Sequence, residues 1–233
     1  MSSAAFEADG FYVAFDASGS VGSVAVARGF DVLARATLSA HGQHASSLVT
    51  AISGVLQEAG VDRDELSGVV VGEGPGSFTG VRVAAATAKG LAHALDRPVW
   101  AVSSLAAVAL AKEGGGIRYV LFDARSDRVY GACYGIGRVG VERIVPPHGG
   151  TLRDVLDNDV PPGAVFLGEG AERHRGAIEG AGFPVAVGPV VHPTADGLFR
   201  YLAMNPEMAP VAAVARWEPR YIREWKPDKA WSA

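Results

Sequence analysis

The sequence predicts an α/β protein in which one structural unit is used twice. Three observations carry that prediction. Tyr12-Val13-Ala14-Phe15-Asp16-Ala17-Ser18 is echoed by Tyr119-Val120-Leu121-Phe122-Asp123-Ala124-Arg125. Val70-Val71-Gly72-Glu73-Gly74 is echoed in the same order by Phe166-Leu167-Gly168-Glu169-Gly170. Between the echoes, short apolar runs alternate with stretches of helical periodicity, the pattern of sheets covered by helices. The first pair lies 107 residues apart and the second 96, so the second unit is slightly the shorter.

The elements of the first unit follow in order. Tyr12 to Phe15 is a strand, and Ala17-Ser18-Gly19-Ser20 is a turn into a second strand from Ser23 to Ala27. A third strand is expected from Asp31 to Leu38. Leu48, Ile52, Val55 and Leu56 recur at i, i+4, i+7 and i+8, which predicts a helix over 44–58 with Gly60 as its stop. Val69-Val70-Val71 is a buried strand leading into a glycine loop with Gly72, Gly74, Gly76 and Gly80 around Pro75. A helix over 81–95 comes next, capped by Ser77 or Thr79, with Val81, Ala84, Ala85, Ala88, Leu91, Ala92 and Leu95 as its inner stripe. Val99 to Val102 is a strand, and Ser103 or Ser104 caps a short helix through Leu110. The second unit runs to about Pro193, with a further helix around 196–204. The divisions expected are 11–104, 105–215 and a tail over 216–233.

Composition narrows the function. The chain has 233 residues, is 48% hydrophobic and carries a net charge of −4, enough for a real core and too acidic for indiscriminate nucleic-acid binding. A single cysteine, Cys133, excludes an internal disulfide and suits a reducing compartment. The opening MSSAAFEADG has neither a basic nor an apolar leader region, and no apolar run approaches the ~20 residues of a membrane helix, so a cytoplasmic location is expected.

The glycine loop brings backbone N–H groups close to an anion or to another chain. It lacks the Gly-Lys-Ser/Thr of a nucleotide P-loop, and its Gly74-x-Gly76-x-x-x-Gly80 spacing is one residue too long for a dinucleotide fingerprint. No serine there stands in Gly-x-Ser-x-Gly, so Ser77 reads as a capping residue. Asp16 and Asp123 end equivalent strands. Either they face one cleft and hold Mg²⁺ on a nucleotide phosphate, or each closes its own turn. His41 and His44 form His-x-x-His, but Gly42 interrupts a helix there and nothing else clusters with them, so no metal site is expected. In the tail, Arg216, Arg220, Arg223, Lys226 and Lys229 alternate with Trp217, Tyr221, Trp225 and Trp231. That pattern fits RNA contact or packing on the body, and Glu218, Glu224 and Asp228 favour packing or partner docking.

Gly74-Pro75-Gly76-Ser77-Phe78-Thr79-Gly80-Val81-Arg82, with Ala86-Thr87-Ala88-Lys89-Gly90-Leu91-Ala92 after it, closely resembles the signature of the TsaB (YeaZ) family. Phe15-Asp16-Ala17-Ser18, Phe122-Asp123-Ala124-Arg125 with Val129-Tyr130, and Pro219-Arg220-Tyr221-Ile222-Arg223 resemble further elements of that family. The resemblance implies a duplicated actin-like or sugar-kinase-like (ribonuclease H-like) fold of two lobes. It implies a non-catalytic subunit that pairs with a TsaD-like catalytic paralogue. With a TsaE-like ATPase, that pair transfers a threonylcarbamoyl group from threonylcarbamoyl-adenylate to N6 of adenosine 37 in tRNAs reading ANN codons. It also implies no cofactor required by this chain itself, with ATP or ADP and Mg²⁺ acting at the level of the complex, and tRNA met through the complex. The small-residue face of the second helix leaves both a homodimer and a monomer open for the free chain. The partner surface expected from the resemblance lies on the helices over 44–58 and 81–95, with His44, Leu48, Arg82, Ala84, Ala85 and Ala88 on it. The glycine loop of Gly74, Gly76, Ser77, Phe78, Thr79 and Gly80 adjoins that surface. The competing reading is an ATPase or kinase of the same fold that uses Asp16 and Asp123 with Mg²⁺.

Overall fold

The computed structural model describes residues 6–38, 44–125, 127–158 and 160–222, with the side chains of residues 44–46 excepted. Among the described residues nine strands form two sheets. The first sheet contains β1 (Phe11–Asp16), β2 (Gly22–Arg28), β3 (Asp31–Leu38), β4 (Leu66–Gly72) and β5 (Val99–Val102), in the order β3-β2-β1-β4-β5. The second contains β6 (Gly116–Asp123), β7 (Arg128–Ile136), β8 (Val141–Thr151) and β9 (Val165–Leu167), in the order β8-β7-β6-β9. The helices are α1 (His44–Ala59), α2 (Phe78–Leu95), α3 (Ser104–Ala109), α4 (Leu152–Asn158), α5 (Glu169–Arg173), α6 (Arg175–Gly180) and α7 (Ala195–Ala203).

The duplication is visible in the topology. In each half an antiparallel three-stranded meander is extended by a parallel strand, β4 beside β1 and β9 beside β6. Among the described residues the second half has no full counterpart of β5; a parallel bridge from Phe166 to Val185 stands there. The halves also differ in register. Phe15 lies opposite Val71, which sets Gly72 beside Asp16, whereas Val120 lies opposite Leu167. The Gly-Glu-Gly echo therefore sits two residues further back along its neighbour strand. A two-residue slip keeps every side chain on its original face, so the core pattern survives it.

Both sheets are covered on both faces, which is why their central strands read as unbroken apolar runs. Val13, Phe15, Val69 and Val71 pack beneath α1 and α2. Tyr12, Ala14, Val70 and Trp100 face the other way, onto Leu198, Phe199 and Leu202 of α7. The second sheet meets Leu105 and Val108 of α3 with Val120 and Phe122, and the α4–α6 side with Tyr119, Leu121 and Phe166. The layers are thus α1/α2, first sheet, α3 with α7, second sheet, and α4–α6. Chain order and layer order part at the centre: α7 belongs to the second half but packs on the first sheet, and α3 does the converse.

The predicted helices form where the periodicity places them. Leu48, Ile52, Val55 and Leu56 are all buried, and Gly60 ends α1 at φ 65°, a left-handed conformation that favours glycine. Helix α2 starts three residues earlier than expected, because Ser77 Oγ accepts from Gly80 N and sets the first turn at Phe78. Asp96 closes α2 in the left-handed region, its N–H donating to Ala92 O, two residues ahead of Pro98. After α7 the chain returns to the first lobe as a strap over 208–222. Met208 O accepts from Trp100 Nε1, Val211 N donates to Val99 O, and Val214 and Trp217 pack against the α1/α2 core.

Candidate functional site

The glycine loop is spent on this chain's own packing. A Cβ at Gly80 would stand 1.8 Å from Ala17 O, and one at Gly76 2.3 Å from Ser18 O. The start of α2 is thereby pressed onto the β1–β2 turn, closer than any side chain permits. The backbone donors of Gly74 and Ser77 are engaged as well. Ser77 N donates to Ser18 O, Gly74 N to Ser104 Oγ, and Ser104 N returns to Gly74 O. The loop closes on residues 17, 18 and 104 of its own fold, contacts that the sequence reading of an anion or a second chain did not include. Ser77 is the helix cap, as expected, and Phe78 and Thr79 stand exposed in the first turn.

Asp16 is wholly buried. Its Oδ1 accepts from Ser18 N at 2.7 Å and Ser18 Oγ at 2.6 Å, and its Oδ2 accepts from Ser104 Oγ at 2.6 Å. Gly72 makes the room, since a Cβ there would stand 1.8 Å from Oδ2. Burial pushes the carboxyl above its ordinary range, opposed by the hydrogen bonds from Ser104 and Ser18. Asp123 closes the equivalent turn, accepting from Arg125 N at 3.1 Å, but remains partly exposed and pairs with Arg173 Nη1 at 2.9 Å. The register slip explains the difference, because no glycine of β9 lies beside Asp123. Of the two readings for this pair, the geometry supports turn closure, with the oxygens of Asp16 enclosed by protein donors. Among the described residues no group of three or more His, Cys, Asp or Glu side chains is placed to hold a metal ion. His41 and the side chain of His44 lie outside the described residues.

The helix pair needs a correction. Leu48, Ala84 and Ala88 are fully buried and Ala85 nearly so; they hold α1 and α2 on the sheet and face this chain's own core. Their small Cβ groups let α2 lie close to β1 and β4, which places this stripe inward. The outward faces carry different residues. Val49 is 55% exposed, Ser53 and Gly54 follow it on α1, and Thr79, Ala86, Gly90 and Ala94 are exposed on α2. Gly54 and Gly90 stand in helix interiors with no atom within 4 Å of where a Cβ would be.

Arg82 occupies a flank of α2 rather than its outer face. The strap lies along that flank: Lys89 Nζ donates to Ala215 O, and Arg82 Nε donates to Tyr221 Oη at 3.1 Å. Leu91, half a turn round the helix from Arg82, is half-buried on the opposite flank. Arg220 anchors the strap. Its N donates to Glu73 O at 2.8 Å, and its guanidinium pairs with the Glu73 carboxylate at 2.9 Å. Burial raises the pKa of Glu73, opposed by the charge of Arg220. The strap's partners could not be found from sequence, being 108 to 147 residues away along the chain. The one available signal was the alternation of cations and rings that begins at Arg216. Residues 223–233, with Arg223, Trp225, Lys226, Lys229 and Trp231, lie outside the described residues.

Comparison with known proteins places this geometry. A family model described as TsaD, tRNA N6-adenosine threonylcarbamoyltransferase, matches residues 33–183. The tRNA threonylcarbamoyladenosine biosynthesis protein TsaB of Bacillus subtilis (strain 168) is 30% identical over 226 residues, covering 94% of this chain and 96% of that protein. The structure of YeaZ from Pseudomonas aeruginosa superposes with a TM-score of 0.76 at 27% identity, covering 91% of this chain and all of that one. Component A of the (R)-2-hydroxyglutaryl-CoA dehydratase of Acidaminococcus fermentans, 11% identical, reaches a TM-score of 0.50 over 84% of this chain and 97% of its own, a likeness of fold alone. The fold is the duplicated, two-lobed actin-like one, and the chain belongs to the TsaB (YeaZ) family.

Proposed function

We propose that this chain is a non-catalytic, activating subunit in tRNA threonylcarbamoyladenosine formation, and that it pairs with a TsaD-like catalytic paralogue through the outer faces of α1 and α2. The names of its relatives support the pathway. One observation carries the surface. Gly54 and Gly90 weaken two helices by about 1 kcal/mol each relative to alanine. Nothing in the packing of the described residues requires them, since the space beyond both is open there. Close approach by a second helix pair is the use that such positions serve, and two pairs stacked in this way form a four-helix contact. Exposed Val49 gives the face an apolar centre.

In this reading threonylcarbamoyl transfer takes place on the paralogue. The present chain supplies the second half of the assembly that tRNA and a TsaE-like ATPase meet, and ATP or ADP with Mg²⁺ acts at the level of the complex. The chain works in the cytoplasm. The free chain pairs with itself through the same face. The test is size-exclusion chromatography with light scattering on mixtures of this chain with its cognate paralogue. Gly90→Arg and Gly54→Arg, both pointing into open space, are expected to abolish the mixed species while leaving the monomer folded. A mixed species that survives both substitutions would remove this face from the account.

A further inference from the structure

We propose that Phe78, Arg82 and Tyr221 form a contact site for single-stranded RNA, the guanidinium pairing with a phosphate and the two rings stacking on bases. The choice of RNA rests on the tRNA-modification reading above; the site itself rests on geometry.

Phe78 opens α2 and leaves 58% of its surface exposed. Arg82 follows at i+4, and its guanidinium carbon lies 3.7 Å from the centroid of the Phe78 ring. Tyr221 closes in from the strap, its ring centroid 5.8 Å from that of Phe78 and inclined by 47°. The Arg82 Nε–Tyr221 Oη hydrogen bond fixes the fork between the two rings. Among the described residues no carboxylate pairs with Arg82, whose hydrogen bond there is made through Nε and not through the two terminal nitrogens. The arginine is therefore oriented in advance for a bidentate acceptor, and Tyr221 beside it is 43% exposed.

The rings decide between a phosphate and a protein carboxylate. An acidic side chain would use the guanidinium and leave two large aromatic faces in water. A phosphate brings bases with it, and exposed rings beside a cation are a stacking platform. Beyond Tyr221 the sequence continues through Arg223, Trp225, Lys226, Lys229 and Trp231, the same alternation of cation and ring. The site is also distinct from the outer helix face, because it lies on the strap flank of α2, away from α1.

The test uses the full chain assembled with its paralogue and a fluorescent tRNA anticodon stem–loop, titrated by anisotropy at several salt concentrations. Phe78→Ala and Tyr221→Ala are each expected to weaken binding by about tenfold. Arg82→Gln should weaken it and lower the slope of log affinity against log salt by about one. Assembly should be unchanged throughout. Wild-type affinity in all three variants, or no binding by the wild-type complex, would overturn the proposal. So would loss of assembly in place of RNA affinity, which would make the site a docking point for an acidic protein. Failure here is separable from failure of the functional reading. Modified adenosine with unaltered variant affinities removes this site alone, whereas variant-sensitive RNA binding without modification removes only the function.

Discussion

Ser104 donates a 2.6 Å hydrogen bond to Asp16, joining the first turn of α3 to the end of β1 across 88 residues of chain. The same hydroxyl accepts from Gly74 N, so one side chain ties together the central strand, the glycine loop and the helix between the sheets. Asp16→Ala would leave Ser18 N, Ser18 Oγ and Ser104 Oγ without their acceptor in a buried site. A loss of about 3–5 kcal/mol is expected in urea unfolding. A loss below 1 kcal/mol would show that the site is wetter than described.

The Asp16 carboxyl also sets a pH dependence. Its folded-state pKa lies above the unfolded one, so the folded chain holds the proton more tightly. The stability this contributes is complete below about pH 4. It is lost as pH rises through the folded value. Asp16→Asn cannot titrate. Wild type should therefore lose stability relative to Asp16→Asn as pH is raised above about 4. A gap that stays constant with pH would contradict the burial of this group.

Two glycines of α2 should respond in opposite directions to the same substitution. Gly80→Ala drives a methyl into the Ala17 carbonyl and should cost at least about 2 kcal/mol. Gly90→Ala meets nothing and should raise stability by about 1 kcal/mol in the monomer. Melting temperatures that shift the same way for both would argue against the close approach of α2 to the β1–β2 turn.

Cys133 is buried on β7, and burial pushes its thiol up to about 12. At pH 8 the native chain should be inert to a thiol-specific disulfide reagent over the hour in which the urea-unfolded chain reacts fully. Equal rates in both states would mean that the second sheet opens readily.

Much of the fold is readable in the residues. The runs Tyr12–Phe15 and Tyr119–Phe122 sit on equivalent strands, and Leu48, Ile52, Val55 and Leu56 form the buried stripe that their spacing predicts. What the residues do not reveal is long-range. The register slip of β9 leaves no trace in composition, because a shift of two preserves the alternation of faces. The same slip separates the buried Asp16 from the ion-paired Asp123, which the echo alone makes look alike. Periodicity sets the alanine stripe of α2 inward, as the structure does, whereas the resemblance sets it on a partner surface; small residues serve a tight core and a tight interface equally well. What distinguishes them is the glycine at position 90, which has no partner within its own chain. The Phe78–Arg82–Tyr221 site needed the return path of the strap, which local periodicity does not encode.

The central claim is that threonylcarbamoyl transfer depends on this chain as a partner and not as a catalyst. The most direct measurement is modified adenosine formed from tRNA, ATP and threonylcarbamoyl-adenylate by the cognate catalytic paralogue and its small ATPase, with and without this chain. The account predicts modification that requires the chain, persists with Asp123→Ala and is lost with Gly90→Arg. Modification at the same rate when the chain is omitted would contradict it.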